Sequence, residues 1–265
     1  MARLDAELVA RRIARSRETA KEMIRGGSVT VNGRTVTKAA ADVCADDVIE
    51  SAERELYVGR GALKLERAYK EFGLALDGLT CVDIGASTGG FTDFMLRNGA
   101  KKVYAIDVGH GQLAESLLAD SRVVSLEGTD IRTVTVDMIG GAAAEFISVD
   151  VSFISLTMVL PKVYELLGDG RSAAVLIKPQ FEAGRANIGK GGIVKDRRVH
   201  EKVLCDIDDF AAQIGLTAEA YTYSSIKGGS GNIEYLVKLT KNGGKRRSFD
   251  FRGLVGSSFT ALKES

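Results

Sequence analysis

The residues most capable of chemistry lie in Val82-Asp83-Ile84-Gly85-Ala86-Ser87-Thr88-Gly89-Gly90-Phe91, where an apolar run gives way to a helical pattern. Glycines at a strand-to-helix turn let a ligand approach the backbone, and the first N–H groups of the helix are free to bind it. About twenty residues on, Asp107 closes the run Lys102–Ile106, where a carboxylate can grip ribose hydroxyls. Two cofactor classes share this plan. A dinucleotide asks for G-x-G-x-x-G beneath its pyrophosphate. Here the pattern is D-x-G-x-x-x-G-G, with Asp83 two residues before the first glycine. A carboxylate there is unhelpful to pyrophosphate. It suits S-adenosylmethionine, which carries an ammonium and a sulfonium and no phosphate. A tight turn without a ligand is the remaining alternative. On this reading Asp83, Gly85, Ser87, Thr88, Gly89, Gly90 and Asp107 form the cofactor site.

These residues need a parallel sheet to position them. Leu79–Ile84, Lys102–Ile106, Phe146–Val149 and Ala173–Ile177 read as short apolar strands, with a helix over Phe91–Asn98. Strands alternating with helices imply a doubly wound α/β sheet. A helix over Asp196–Ile214 and two strands between Leu216 and Leu239 would close it as a Rossmann-like, seven-stranded methyltransferase sheet. The expected organisation is a small N-terminal α+β domain over 1–55, a linker over 56–62 and the α/β domain over 63–265.

In the N-terminal part, Leu4, Leu8, Val9 and Ile13 mark one face of a short helix. Ser16 is a candidate N-cap for a second helix that stops at Gly26-Gly27. Alternating β-formers flank Asn32-Gly33, a strong hairpin signal, and Val43–Ile49 reads as one further strand. Residues 1–38 hold nine Lys/Arg against four acids, a local balance of +5. The whole chain, 265 residues long, carries only +1, so any argument for a nucleic-acid partner must be local. With 45% hydrophobic and 27% charged residues, wholesale disorder is excluded. No apolar run approaches the roughly 20 residues of a membrane span, and no signal-peptide pattern is visible. Cys44, Cys81 and Cys205 are scattered, which suits a reducing cytoplasm. His110 and His200 share no ligand cluster, so no metal site is expected.

The segments DIGASTGGFTD, YAIDVGHGQL, DVSFISL, LIKPQFEAG, GGIV and GNIEYL together resemble the TlyA family, bacterial proteins often labelled haemolysin A and understood as rRNA 2′-O-methyltransferases. The catalytic part is similar to FtsJ-class ribose methyltransferases. The N-terminal part is similar to the S-four-type (αL) RNA-binding motif. The resemblance implies S-adenosylmethionine as cofactor, ribosomal RNA or a ribosomal subunit as partner, and cytidine as the modified nucleoside. It places a Lys-Asp-Lys-Glu catalytic set on Lys64, Asp150, Lys178 and Glu234. It also places Asp130 beside the cofactor's base and Asp150 near its positive end. Asp150 and Lys178 follow apolar strands, where open α/β sheets bind ligands. A desolvated lysine beside another cation can serve as a base, which favours Lys178 for that role with Lys64 as the neighbouring cation. Asp150 and Glu234 would orient the two lysines.

Arg3, Arg11, Arg12, Arg15, Arg17, Lys21 and Arg34 are the expected RNA contacts, and the basic residues Arg185, Lys190 and Lys195 form a candidate lip. The competing readings are an RNA-binding protein without catalysis and, as the haemolysin label suggests, a cytolysin.

Overall fold

The computed structural model describes residues 2–11, 13–14, 17–51 and 57–263. Two compact units divide the chain, Met1–Tyr57 and Val58–Ser265.

The first unit runs β1 (Ala2–Arg3), α1 (Leu4–Ala10), α2 (Arg17–Arg25), β2 (Val29–Val31), β3 (Arg34–Thr35), β4 (Asp42–Val43) and β5 (Ile49–Ser51). Leu4, Leu8, Ala20, Met23, Ile24 and Val29 form its core. The hairpin β2–β3 turns at Asn32-Gly33, both with positive φ (50° and 75°), the geometry of a two-residue type I′ turn. The expected single strand over Val43–Ile49 is instead two pieces with different partners. β4 pairs with β1 and β5 with β2. The break comes from Asp47, whose carboxylate accepts from the Cys44 N–H (2.7 Å) and from Asn32 Nδ2 (2.9 Å) and so folds a turn between them. The proposed N-cap Ser16 lies outside the described residues.

The second unit runs α3 (Ala62–Phe72), β6 (Thr80–Ile84), α4 (Gly90–Arg97), β7 (Lys102–Ile106), α5 (Glu115–Leu118), β8 (Val123–Leu126), β9 (Ala144–Val149), α6 (Leu156–Leu166), β10 (Leu167–Ile177), α7 (Pro179–Glu182), α8 (Arg197–Gln213), β11 (Leu216–Tyr223), β12 (Tyr235–Lys241) and α9 (Phe251–Ala261). Its sheet has seven strands in the order β11-β12-β10-β9-β6-β7-β8. The pairs within β10-β9-β6-β7-β8 are parallel, and β12 runs antiparallel to both β10 and β11. The central strands carry Val82, Ile84, Ile147, Val149, Val175 and Ile177 into one core, the near-continuous apolar runs of strands covered on both faces. This is the α/β methyltransferase-type sheet that the sequence implies. From β6 the order runs one way to β7 and the other way to β9, so the loops after β6 and β9 part at a switch point, the usual ligand crevice of such sheets. No helix among the described residues is long and apolar enough to cross a membrane.

Candidate active site

Glycine shapes the crevice. Gly85 leaves β6 with φ +84°, and a Cβ there would collide with the backbone carbonyl of Asp150. Its absence lets the loop lie against the end of β9, where the Asp150 N–H donates to Ile84 O at 2.9 Å. Gly89, φ +94°, caps the start of α4, and Gly90 packs closely on residues 59–62. Ser87 and Thr88 stand exposed between them. Asp107, half-buried, accepts from the Ser87 N–H (2.8 Å) and the Gly109 N–H (2.7 Å), tying the loop after β6 to the loop after β7.

Two of the acids expected at the cofactor are engaged by the protein's own side chains. The sequence places Asp83 in the cofactor site, but the side chain is fully buried. It accepts from Thr92 Oγ1 (2.7 Å) and Ser148 Oγ (3.0 Å), binding β6 to α4 and β9. Strand alternation sends Asp83 to the face covered by α4, opposite the one on which Val82 and Ile84 enter the core. Burial pushes its carboxyl up to about 6, against the pull of those two hydroxyls. Asp130 caps the short helical turn at Ile131–Thr133 and is gripped by the Arg132 guanidinium, so less of it is left for an exocyclic amine.

The four residues of the expected catalytic set do meet. Lys64 comes from the first turn of α3, Asp150 follows β9, Lys178 follows β10, and Glu234 precedes β12. Lys64 Nζ lies 2.7 Å from Glu234 Oε2 and 3.4 Å from Asp150 Oδ2. Lys178 Nζ lies 2.6 Å from Asp150 Oδ1 and donates to Ser152 Oγ at 2.8 Å. Two carboxylates and two ammonium groups thus alternate, with Asp150 shared. Lys64, Lys178 and Glu234 are each less than a tenth exposed, where an unpaired charge would be costly. Burial works against the Lys64 cation, but the Asp150 and Glu234 carboxylates outweigh it and hold the ammonium above the ordinary lysine range.

Pro179 fixes how Lys178 leaves its strand. Lys178 is extended (φ −111°, ψ 101°), as a residue before proline must be, and Pro179 begins α7. Gln180 then donates towards Glu234 Oε1 (3.5 Å), while its own buried Oε1 has no partner among the described residues. Ser152 and Phe153 escape sequence reasoning. Phe153 is 91% exposed with φ +63°, a rare conformation for a bulky residue, and its ring lies 5.1 Å from that of Phe181.

The donor set fits S-adenosylmethionine. Asp107 and Asp150 stand at the crevice, and loop 85–90 contains neither lysine nor arginine. The two carboxylates match the positive charge of a sulfonium and an ammonium.

In the first unit the basic residues divide by partner. Arg3 and Arg17 both bond the buried Asp5 while staying half-exposed, and together they hold its carboxyl well below the usual range. Arg11, expected at RNA, turns inward. It bonds Glu7 (2.8 Å) and the carbonyls of Asp47 (2.6 Å), Cys44 (3.2 Å) and Ala45 (2.9 Å). Lys21 pairs with Glu18 at 2.6 Å. Arg34 is exposed at the hairpin, and Arg12 and Arg15 lie outside the described residues.

Comparison with known proteins agrees with both units. Residues 57–241 match the FtsJ-like methyltransferase family and residues 2–49 the S4 domain. The 16S/23S rRNA (cytidine-2′-O)-methyltransferase TlyA of Mycobacterium tuberculosis is 40% identical over 99% of this chain and 98% of its own length. Hemolysin A of Brachyspira hyodysenteriae is 43% identical over 89% of this chain and 98% of its own. A solved structure from Streptococcus thermophilus, described as a hemolysin, superimposes with a TM-score of 0.79 at 39% identity, covering 99% of this chain and 97% of that one. With both units matched and the relatives aligned nearly end to end, the chain belongs to the TlyA family of FtsJ-like methyltransferases, with an S4 domain ahead of its catalytic unit.

Proposed function

We propose that the protein methylates the 2′-hydroxyl of a cytidine in ribosomal RNA, within a ribosomal subunit in the cytoplasm, with S-adenosylmethionine as donor. The observation that carries this reading is the buried alternation Glu234–Lys64–Asp150–Lys178 at the carboxyl ends of the strands. A ribose hydroxyl is a weak acid and a weak nucleophile, so its proton must leave as it attacks. Lys178 Nζ takes that proton as general base. Asp150 and Ser152 aim its Nζ, and Pro179 fixes its backbone. Lys64 remains a cation between Glu234 and Asp150. Asp107 and the glycine loop would hold S-adenosylmethionine, which would supply the methyl on a sulfonium whose leaving group is a neutral thioether.

An RNA substrate is favoured by the S4 domain and by the activity named for the mycobacterial relative. It is also favoured by the exposed Phe153 beside Phe181, an aromatic surface on which a base can stack. Arg185, Lys190 and Lys195, all exposed, supply charge for RNA phosphates.

Single-turnover transfer of labelled methyl to unmodified rRNA tests the reading. Lys178→Ala should lower the rate by about 10²–10⁴, the usual effect of losing a general base, with cofactor affinity unchanged. Primer extension at low nucleotide concentration then locates the modified ribose. A near-native rate in this variant would place the base elsewhere.

A further inference from the structure

A second concave surface lies beside the catalytic set. It is a pocket of about 460 Å³ between the start of α3 and the turn before β12, lined by Arg60, Gly61, Lys64, Lys227, Gly229 and Gly231 among others. Its lining holds three cations and no acid, in a chain whose charges otherwise nearly balance, 36 basic against 35 acidic. The Arg60 guanidinium is exposed and has no partner among the described residues. Neither the glycine loop after β6 nor Asp107 lines this pocket.

The pocket is held in shape by its own bonds. Ser225 Oγ donates to Leu63 O at 2.9 Å, tying the turn to α3. The Gly228 N–H donates to Asn232 O (2.9 Å) and the Gly231 N–H to Gly228 O (2.7 Å). Gly228 must lack a side chain, because a Cβ there would collide with the Glu234 carboxylate beneath. At Gly61 and Gly229 a Cβ would meet no atom within 4 Å. Packing therefore does not demand glycine there, and its presence leaves the backbone open to a ligand.

Lys64 is shared by the pocket and the catalytic set. A ligand in the pocket is consequently a near neighbour of the group being methylated. The 2′-hydroxyl of a ribose within RNA is flanked by phosphodiesters, the nearest anions the substrate possesses. We propose that this pocket is a phosphodiester subsite, in which Arg60 and Lys227 hold a backbone phosphate next to the methylated ribose. It fixes the sugar against Lys178. The inference rests on the ribose methyltransferase reading.

The test uses the full chain with Arg60→Gln, Lys227→Gln and both together. Affinity for S-adenosylhomocysteine should stay unchanged. For unmodified rRNA, kcat/KM should fall roughly tenfold per lost cation, the scale of a charged hydrogen bond. The salt slope of RNA binding should flatten by about 0.7–0.9 in the double variant, one phosphate contact. Synthetic RNA carrying an uncharged methylphosphonate at each phosphate around the methylated ribose gives the decisive comparison. At one position the native protein should lose activity while the double variant loses no more. Equal losses in both proteins at every position, or an unaltered kcat/KM in the double variant, would overturn the subsite and leave the methyltransferase reading intact. No transfer to any rRNA by the native protein would overturn both.

Discussion

Asp83 and Lys64 are both buried charged residues, and their surroundings push them in opposite senses. Lys64 has two carboxylates in contact and stays charged. Asp83 is held by two hydroxyls and the Thr92 backbone N–H, and burial raises its carboxyl from an ordinary value to about 6. Below about pH 4 that carboxyl is protonated in folded and unfolded chains alike. Between about 4 and 6 the unfolded chain has released the proton and the folded one has kept it, so stability falls as pH rises through this window. Asp83→Asn removes the effect. Its stability relative to the native protein should rise by roughly 2–3 kcal/mol from pH 4 to 6.5, because each tenfold change in proton affinity is worth about 1.4 kcal/mol. Urea midpoints across that range measure it. Parallel profiles for the two proteins would show that another group governs the window.

At the scale of elements, the site depends on two strand ends approaching each other, and Gly85 permits the approach. Gly85→Ala combines a left-handed φ with a collision against the Asp150 carbonyl. A destabilisation of about 2–4 kcal/mol should follow from strain and overpacking together. Displacement of Asp150 should also weaken cofactor binding, which calorimetry would detect. A variant with native stability and affinity would mean that the loop can yield. This glycine was legible in the sequence because its spacing from Asp107 is a pattern of types. So were the apolar strands β6, β7, β9 and β10, since burial on both faces writes them as unbroken runs. The strand β8 is only four residues long and half-buried, and α9 contains Gly253 and Gly256 with a weak apolar stripe, so neither stands out from its neighbours. The side-chain direction of Asp83 and the turn that divides Val43–Ile49 depend on partners far along the chain, Ser148 and Asn32. Composition around them carries no trace of those partners.

For the whole molecule, two compact units let the first unit's contribution to RNA binding be tested apart from the cofactor site in the second. The first unit's excess charge is the electrostatic signature of a nucleic-acid surface, yet its arginines do different work. Arg11 holds the turn at Cys44–Asp47 to α1, so Arg11→Gln should destabilise this unit by about 0.5–1.5 kcal/mol, the net range for hydrogen bonds whose partners water can reach. Arg3 and Arg17 bond Asp5, and their removal would mix stability with binding. Arg25 and Arg34 are exposed and isolate the binding effect. If both meet phosphates, Arg25→Gln with Arg34→Gln should flatten the logarithmic salt dependence of rRNA binding by about 1.4–1.8, with a slope of 0.7–0.9 per contact. Affinity for S-adenosylhomocysteine should not move, because the glycine loop, Asp107 and Asp150 all belong to the other unit. Filter binding of rRNA between low and moderate salt, with cofactor calorimetry in parallel, measures both quantities. An unchanged salt slope would move the RNA surface away from the hairpin and the end of α2, and a loss of cofactor affinity would show that the two units do not act separately.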